Sequence, residues 1–159
     1  MSILKGIEAT AKRLINKEHI MAPSIPIKDL ATKMGLDVIP YNLGEGVSGT
    51  LVVENNKGFI GYNPLESKTR QRFTIAHELG HYLLHLSNSQ SRKIFVDTSF
   101  IVKYRSAKNY TQSEWKQEQE ANAFAAAILM PFDFIKTELS KPSNQKLGEV
   151  ELIESLSKT

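Results

Sequence analysis

The sequence predicts an α+β fold. A small antiparallel or mixed sheet of three strands packs on a helix that carries His-Glu-x-x-His and on a second, glutamate-bearing helix, with further helices at the N-terminus. Three observations lead there. Apolar residues recur at steps of three and four before residue 35 and again after residue 67, which is the helical period. Between these ranges the chain shifts to short runs of Val, Ile, Leu and aromatics separated by Gly and Asn, which is the pattern of strands and turns. The two later helix-period segments then carry His and Glu at spacings suited to one polar site.

Each element follows from its residues. Ile3, Ile7, Ala11, Leu14 and Ile15 form one stripe and predict a first helix. Pro23 and Pro26 break the chain. A short helix should follow, with Ile27, Leu30, Ala31 and Met34 inward and Gly35 as its stop. Leu36 to Tyr41, Gly49 to Val53 and Gly58 to Tyr62 predict three strands, and Glu54 to Gly58 reads as a hairpin turn between the last two. Ser67 is an N-cap for a helix in which Phe73, Ala76, Leu79 and Leu83 repeat up to about Leu86. The stretch Ser87 to Gln112 has no clear period and is expected to be a variable, mobile, substrate-selecting loop. Within it, Ile94 to Val96 and Phe100 to Val102 have strand composition, and Arg92, Lys93, Lys103, Arg105 and Lys108 give a local basic excess. Thr111-x-x-Glu114 has capping-box spacing and opens a helix that runs to Met130, where Pro131 ends it. From Ala121 onward that helix is apolar nearly all round, which predicts a central, buried position. Phe132 to Leu139 and Leu147 to Leu156 are two further helical candidates.

This pattern divides the chain into one domain over residues 1–140 and a helical tail over 141–159. The domain comprises N-terminal helices (2–35), sheet (36–63), active-site helix (67–86), variable loop (87–112) and ligand helix (113–130).

Composition narrows the function. The chain has 159 residues and no cysteine, which excludes a disulfide scaffold, a thiolate metal site and a cysteine nucleophile. A formal charge of +3 from scattered residues is weak evidence for nucleic-acid binding, despite a pI near 9.0. The longest apolar run is Ala123 to Met130, well short of the roughly 20 residues of a membrane span. The residues after Met1 lack an apolar stretch long enough for a signal peptide, so a cytoplasmic location is expected.

The chemistry is concentrated in Phe73-Thr74-Ile75-Ala76-His77-Glu78-Leu79-Gly80-His81. Residues four apart on a helix share a face, with Cβ atoms about 5–6 Å apart. Two imidazoles so placed can reach one tetrahedral zinc at about 2.0–2.1 Å. Glu78 beside the first histidine can then act on a water held by the metal, whose pKa zinc lowers to about 7. Gly80 is costly inside a helix, and a close approach by another backbone would explain it. His85 shares the face of His77 and His81, but it lies roughly 12 Å along the axis from His77, too far for one ion. It reads instead as a helix C-terminal residue favoured by the macrodipole. His19 has no partner pattern and reads as surface.

A third protein ligand should then be a carboxylate. Glu114, Glu118 and Glu120 are available, and Glu114 fits a solvated first turn. Asn122 stands four residues after Glu118, placed to hydrogen-bond a ligand histidine from behind, which favours Glu118 over Glu120. Periodicity alone does not separate the two. The donor types suit Mn²⁺ as well as zinc.

Arg70-x-Arg72-Phe73-Thr74-Ile75-Ala76-His77-Glu78-Leu79-Gly80-His81, followed by Glu118-x-x-Ala121-Asn122-x-Phe124-Ala125-Ala126-x-Ile128-Leu129-Met130-Pro131, resembles the ImmA/IrrE family of metallo-endopeptidases. The likeness covers about Leu36 to Leu139. It implies a minimal zincin with one zinc on His77, His81 and Glu118, and with Glu78 as the catalytic glutamate. It also implies a protein substrate, a helix-turn-helix repressor or similar regulator of a phage, mobile-element or stress-response locus. No helix-turn-helix segment stands out in this sequence, so such a domain is expected on a separate partner chain.

Two other classes compete. A zincin-fold module that sequesters a repressor or antitoxin without cutting it would have no need of Glu78 as a base. A DNA-binding protein rests on the pI alone. For a peptidase, the substrate is expected to lie along an exposed strand edge, with Gly58 to Asn63 as the candidate. Tyr62, Tyr82, Arg70 and Arg72 are the candidate stabilisers of the developing oxyanion.

Overall fold

The computed structural model describes residues 3–21, 23–42, 44–54, 57–86, 93–98 and 111–142, together with isolated positions 148, 150, 151 and 154. Helices α1 (Ile3–Lys17) and α2 (Ile27–Lys33) lead into strands β1 (Leu36–Pro40), β2 (Val47–Glu54) and β3 (Lys57–Tyr62). Helix α3 (Lys68–His81) continues into a π-helical turn, Tyr82–Leu86. Strand β4 (Lys93–Thr98) and helices α4 (Gln112–Leu129) and α5 (Phe132–Leu139) complete the described elements. No helix among the described residues is long and apolar enough to cross a membrane.

The helix ends form where short polar side chains satisfy the orphan backbone donors. Ser67 accepts from the backbone N–H of Arg70 at 3.2 Å and starts α3. Thr111 and Glu114 form the reciprocal capping box of α4: the Glu114 N–H donates to Thr111 Oγ1 at 3.2 Å, and the Thr111 N–H donates to Glu114 Oε2 at 2.8 Å. The bond to Thr111 holds the Glu114 carboxyl below its ordinary pKa. Gly35, with φ +85°, takes the left-handed conformation that stops α2.

The sheet has four strands in the order β1-β3-β2-β4, so the Ile94 to Val96 segment adds a strand to the three expected. β1 and β3 are parallel, whereas β2 runs antiparallel to both β3 and β4. Leu51 of β2 pairs with Ile60 on one side and with Phe95 on the other. This order corrects the expected substrate edge. Gly58 to Tyr62 belongs to β3, which is hydrogen-bonded on both sides. Its alternating apolar residues fill the middle of the sheet. Among the described residues the outer strands are β1 and β4. Phe100 to Val102, and all of the Ser87 to Gln112 loop apart from β4 and the first capping residues of α4, lie outside the described residues, as does most of the Leu147 to Leu156 helix candidate.

The core has two layers. α3 packs Ile75, Ala76 and Leu79 toward Leu51, Val53 and Ile60 of the sheet. On its other side it lies against α4, and α4 in turn packs on α1. Ile7, Ala11, Leu14 and Ile15 of α1 are buried, as expected, while Ile3 at its start is exposed. The expectation for α4 needs correction. Ala121, Phe124, Ala125 and Ile128 are buried, but Ala126 and Met130 are exposed. The helix is buried on one side, and its alanine-rich flank borders an open groove between α1, α4 and α5. Alanine leaves little apolar area in water, so its exposure costs little.

Gly80 sets the distance between α3 and α4. A Cβ at this position would lie 3.1 Å from Phe124 Cδ1 and 3.2 Å from both Cα and the carbonyl oxygen of Ala121. Two of those three atoms are backbone, which cannot rotate aside. Gly6 in α1, by contrast, has nothing within 4 Å of the added atom. Gly6→Ala is therefore expected to stabilise by up to about 1 kcal/mol, the helix-propensity difference. Gly80→Val should cost about 1–3 kcal/mol by overpacking. Urea unfolding of the two variants checks this, and a Gly80→Val protein as stable as wild type would show that the helices are not held at that distance.

Candidate metal centre

The site is assembled where α3 and α4 cross in opposite directions. Asn122 meets His77, and Glu118, one turn earlier on α4, meets His81, one turn later on α3. His77 and His81 are each 1% exposed, which is exceptional for polar rings and requires that their nitrogens find partners. Their Nε2 atoms converge to 3.1 Å. Glu118 closes the third corner, with Oε1 3.1 Å from His81 Nε2 and Oε2 3.5 Å from His77 Nε2.

These distances decide whether the group suits a metal. Ligands about 2.0–2.1 Å from a tetrahedral ion stand roughly 3.3 Å from one another. One donor atom each from His77, His81 and Glu118 lies within 4.8 Å of the others, and the contacts just given bracket the expected edge. Two neutral imidazoles and a carboxylate are also the donor set that zinc accepts. The residues fit a single divalent ion.

The outward-facing nitrogens are engaged as well. His77 Nδ1 lies 2.9 Å from Asn122 Oδ1, the contact expected from the spacing of Asn122 and Glu118. As an acceptor, that oxygen takes the Nδ1 proton and leaves the His77 Nε2 lone pair facing Glu118. The pKa of His81 is lowered, chiefly by burial and further by His77 and His85, against the opposing pull of the Glu118 carboxylate. A neutral imidazole is the form that can bind a cation.

Glu78 is fully buried between the two histidines in sequence. Its carboxylate has room because β2 carries Gly49 opposite it. A Cβ on Gly49 would lie 3.3 Å from Glu78 Oε1 and would also collide with the Thr74 methyl. Gly49 pairs with Tyr62 of β3 on one side and with Asp97 of β4 on the other, so the Glu78 carboxylate lies beneath β2, one strand in from the β4 edge.

Glu120, the alternative third donor, is not in the group. Its Oε2 lies 3.0 Å from His85 Nε2, and its Oε1 lies 3.8 Å from Lys116 Nζ. His85 itself departs from expectation. It is not an exposed helix end, since its side chain is 8% exposed. The π-helical turn carries it back against His81, with the two Nδ1 atoms 3.3 Å apart. The signal in the sequence was the pairing of a third in-line histidine with a second glutamate, at positions 85 and 120. His19 is exposed, as expected. The candidate oxyanion stabilisers are otherwise engaged. Tyr62 is buried and its hydroxyl accepts from Lys28 Nζ at 2.6 Å, while Arg70 donates to Ser48 Oγ at 3.0 Å. Arg72 borders a cleft with Ile27 and Lys28, and Tyr82 stands beside Gly58.

The lowered pKa of His81 has a consequence for the metal-free protein. The unfolded chain begins to take up this proton as pH falls through the ordinary value of 6.5, whereas the folded chain resists it. The folded state is then the one with fewer protons, so stability falls as pH drops below 6.5. Chelator-treated protein is expected to unfold at lower urea at pH 5.5 than at pH 7.5, with a smaller difference in His81→Asn. Equal pH dependence in the two proteins would remove His81 as the source.

Comparison with known proteins agrees with this geometry. The family model described as the IrrE N-terminal-like domain, a peptidase family, matches residues 31–146. The chain is 31% identical over 126 residues to a protein of Bacillus phage phi105 named "Uncharacterized immunity region protein 2", covering 79% of this chain and 68% of the relative. The family match spans both helices of the site and all four described strands, and on that basis the chain belongs to the IrrE N-terminal-like peptidase family, with an α+β, zincin-like fold.

Proposed function

We propose that the protein is a zinc-dependent endopeptidase in which His77, His81 and Glu118 hold one zinc ion and Glu78 is the general base. The observation that carries this reading is the convergence of the three donor atoms beside a buried glutamate of the same motif. Membership in a peptidase family supports it. When bound, a divalent ion supplies Lewis acidity toward a water molecule and a peptide carbonyl.

The remaining work falls to the chain. His77 and His81 present neutral Nε2 lone pairs, oriented from behind. The Glu78 carboxylate takes a proton from the attacking water as its oxygen bonds to the carbonyl carbon. It then delivers that proton to the leaving nitrogen as the C–N bond breaks, and returns to the carboxylate form. Burial of Glu78 and both histidines keeps bulk water from competing for these protons. The outer edge of β4, the edge strand paired with Gly49 of β2, is the proposed place for an extended substrate segment.

The proposed substrate is a helix-turn-helix repressor or a similar regulator. A phage relative named for an immunity region supports a regulator of that kind. A cytoplasmic location accompanies this reading.

Zinc titration of the chelator-treated protein should give one ion per chain, and Glu118→Ala should lose it. Glu78→Gln should keep fold and metal and lose cleavage of a co-incubated repressor by about 10²-fold or more, because an amide has nearly the same shape but cannot accept the proton. Cleavage at the wild-type rate by Glu78→Gln would end the general-base assignment. Capture of the repressor by the wild-type protein without any cleavage would favour a sequestering module instead.

A further inference from the structure

Of the four histidines, His85 has no part in the proposed chemistry, yet it is nearly as buried as the two that do. It sits in the one π-helical turn among the described residues, directly after α3. Such turns add a residue to the helical repeat and re-aim side chains, often next to functional sites. Here the turn places His85 between two partners on different elements. Its Nε2 lies 3.0 Å from Glu120 Oε2, and its Nδ1 lies 3.3 Å from His81 Nδ1.

Donor and acceptor roles along this chain of contacts follow from its outer end. A carboxylate accepts only, so Glu120 Oε2 takes the proton of His85 Nε2. In a neutral imidazole the other nitrogen is then a lone pair, so His85 Nδ1 accepts. It accepts from His81 Nδ1–H. His81 Nε2 is therefore left as a lone pair, pointing at Glu118 and His77. The opposite polarity would put a proton on His81 Nε2, the atom that must bind the ion.

We propose that Glu120 and His85 are positioning residues that hold His81 in its metal-binding tautomer and orientation through two consecutive hydrogen bonds. His77 receives the same service from Asn122 in a single step. On the His81 side an imidazole stands between the ligand ring and the side chain from α4. Glu120 thus supports a ligand from a distance and does not compete with Glu118. Lys116 Nζ stands 3.8 Å from the other carboxylate oxygen, Glu120 Oε1.

The inference rests on the reading of His77, His81 and Glu118 as a metal site, and the test separates the two. Zinc affinity is measured by competition with a chelating dye for wild type, His85→Leu, His85→Asn, Glu120→Ala and Glu120→Gln. Asn places an amide oxygen where His85 Nδ1 stands, and Gln retains an acceptor where Glu120 Oε2 stands. His85→Leu and Glu120→Ala are expected to bind zinc about 10-fold or more weakly, within the range for lost partners of ligand histidines, while Asn and Gln recover most of it. Unfolding of all five metal-free proteins by urea checks that each is folded. In ¹⁵N spectra of the zinc-loaded wild type, His85 should be neutral with its proton on Nε2. Wild-type affinity in both His85→Leu and Glu120→Ala, equal losses in the Leu and Asn variants, or a proton on His85 Nδ1 would overturn the proposal while leaving the metal site intact. Failure of wild type to bind zinc would overturn both.

Discussion

The contact between Gly80 and Ala121 is the constraint on which the site depends. An imidazole and a carboxylate have fixed reach, so two imidazoles from α3 and a carboxylate from α4 can meet only if the two helix axes are close. The absence of a Cβ at Gly80 lets the Ala121 backbone approach to where that atom would be, 3.2 Å away. Ala121 is itself the smallest chiral residue and is fully buried. A glycine in a helix interior gives up about 1 kcal/mol relative to alanine. That cost secures the register in which Glu118 faces His81 and Asn122 faces His77.

Close packing then raises an electrostatic problem that the neighbouring residues resolve. Two imidazoles and a carboxylate are removed from water, where each would be well solvated, and unpartnered polar groups in such a place are costly. Asn122 and His85 take the outer nitrogens, and Glu118 faces the inner ones. Burial also keeps His81 neutral to lower pH than a free imidazole. The same low exposure that destabilises charge is what prepares the rings for a cation. Burying these polar groups costs stability, and the hydrophobic layers of α1, α4 and the sheet carry the fold around them.

The sheet contributes space and an edge. Gly49 leaves room for both the Thr74 methyl and the Glu78 carboxylate, so the strand can lie close over the motif helix. Ser48, next in the strand, donates to Glu66 and accepts from Arg70, which ties the start of β2 to the start of α3. Strand β4 pairs along β2 on the side away from β3, with an irregularity between Val47 and Gly49. The edge nearest Glu78 is thus formed by a strand that the chain reaches only after α3, and not by the hairpin before it.

The elements and the motif were legible in the sequence because their causes are local. Ser67, Thr111 and Glu114 mark helix starts by bonding to backbone groups three residues away, and Gly35 and Pro131 mark stops. The spacing of His77, Glu78 and His81 places both imidazoles on one helical face whatever surrounds them. Even Asn122 could be paired with Glu118 by period alone. The tertiary structure decided what depends on residues far apart in the chain. Glu118 and Glu120 differ locally by two positions, and only the rotation of α4 against α3, set at Gly80 and Phe124, turns one toward His81 and the other toward His85. Strand order likewise belongs to long-range pairing: β3 has an apolar pattern suited to either place, and its partners on both sides made it internal. The apolar run of α4 could not reveal which side would be covered, because that is fixed by α1 and α3. The placement of His85 between His81 and Glu120 needed the π-helical turn, whose re-aimed ring no 3.6-residue period describes.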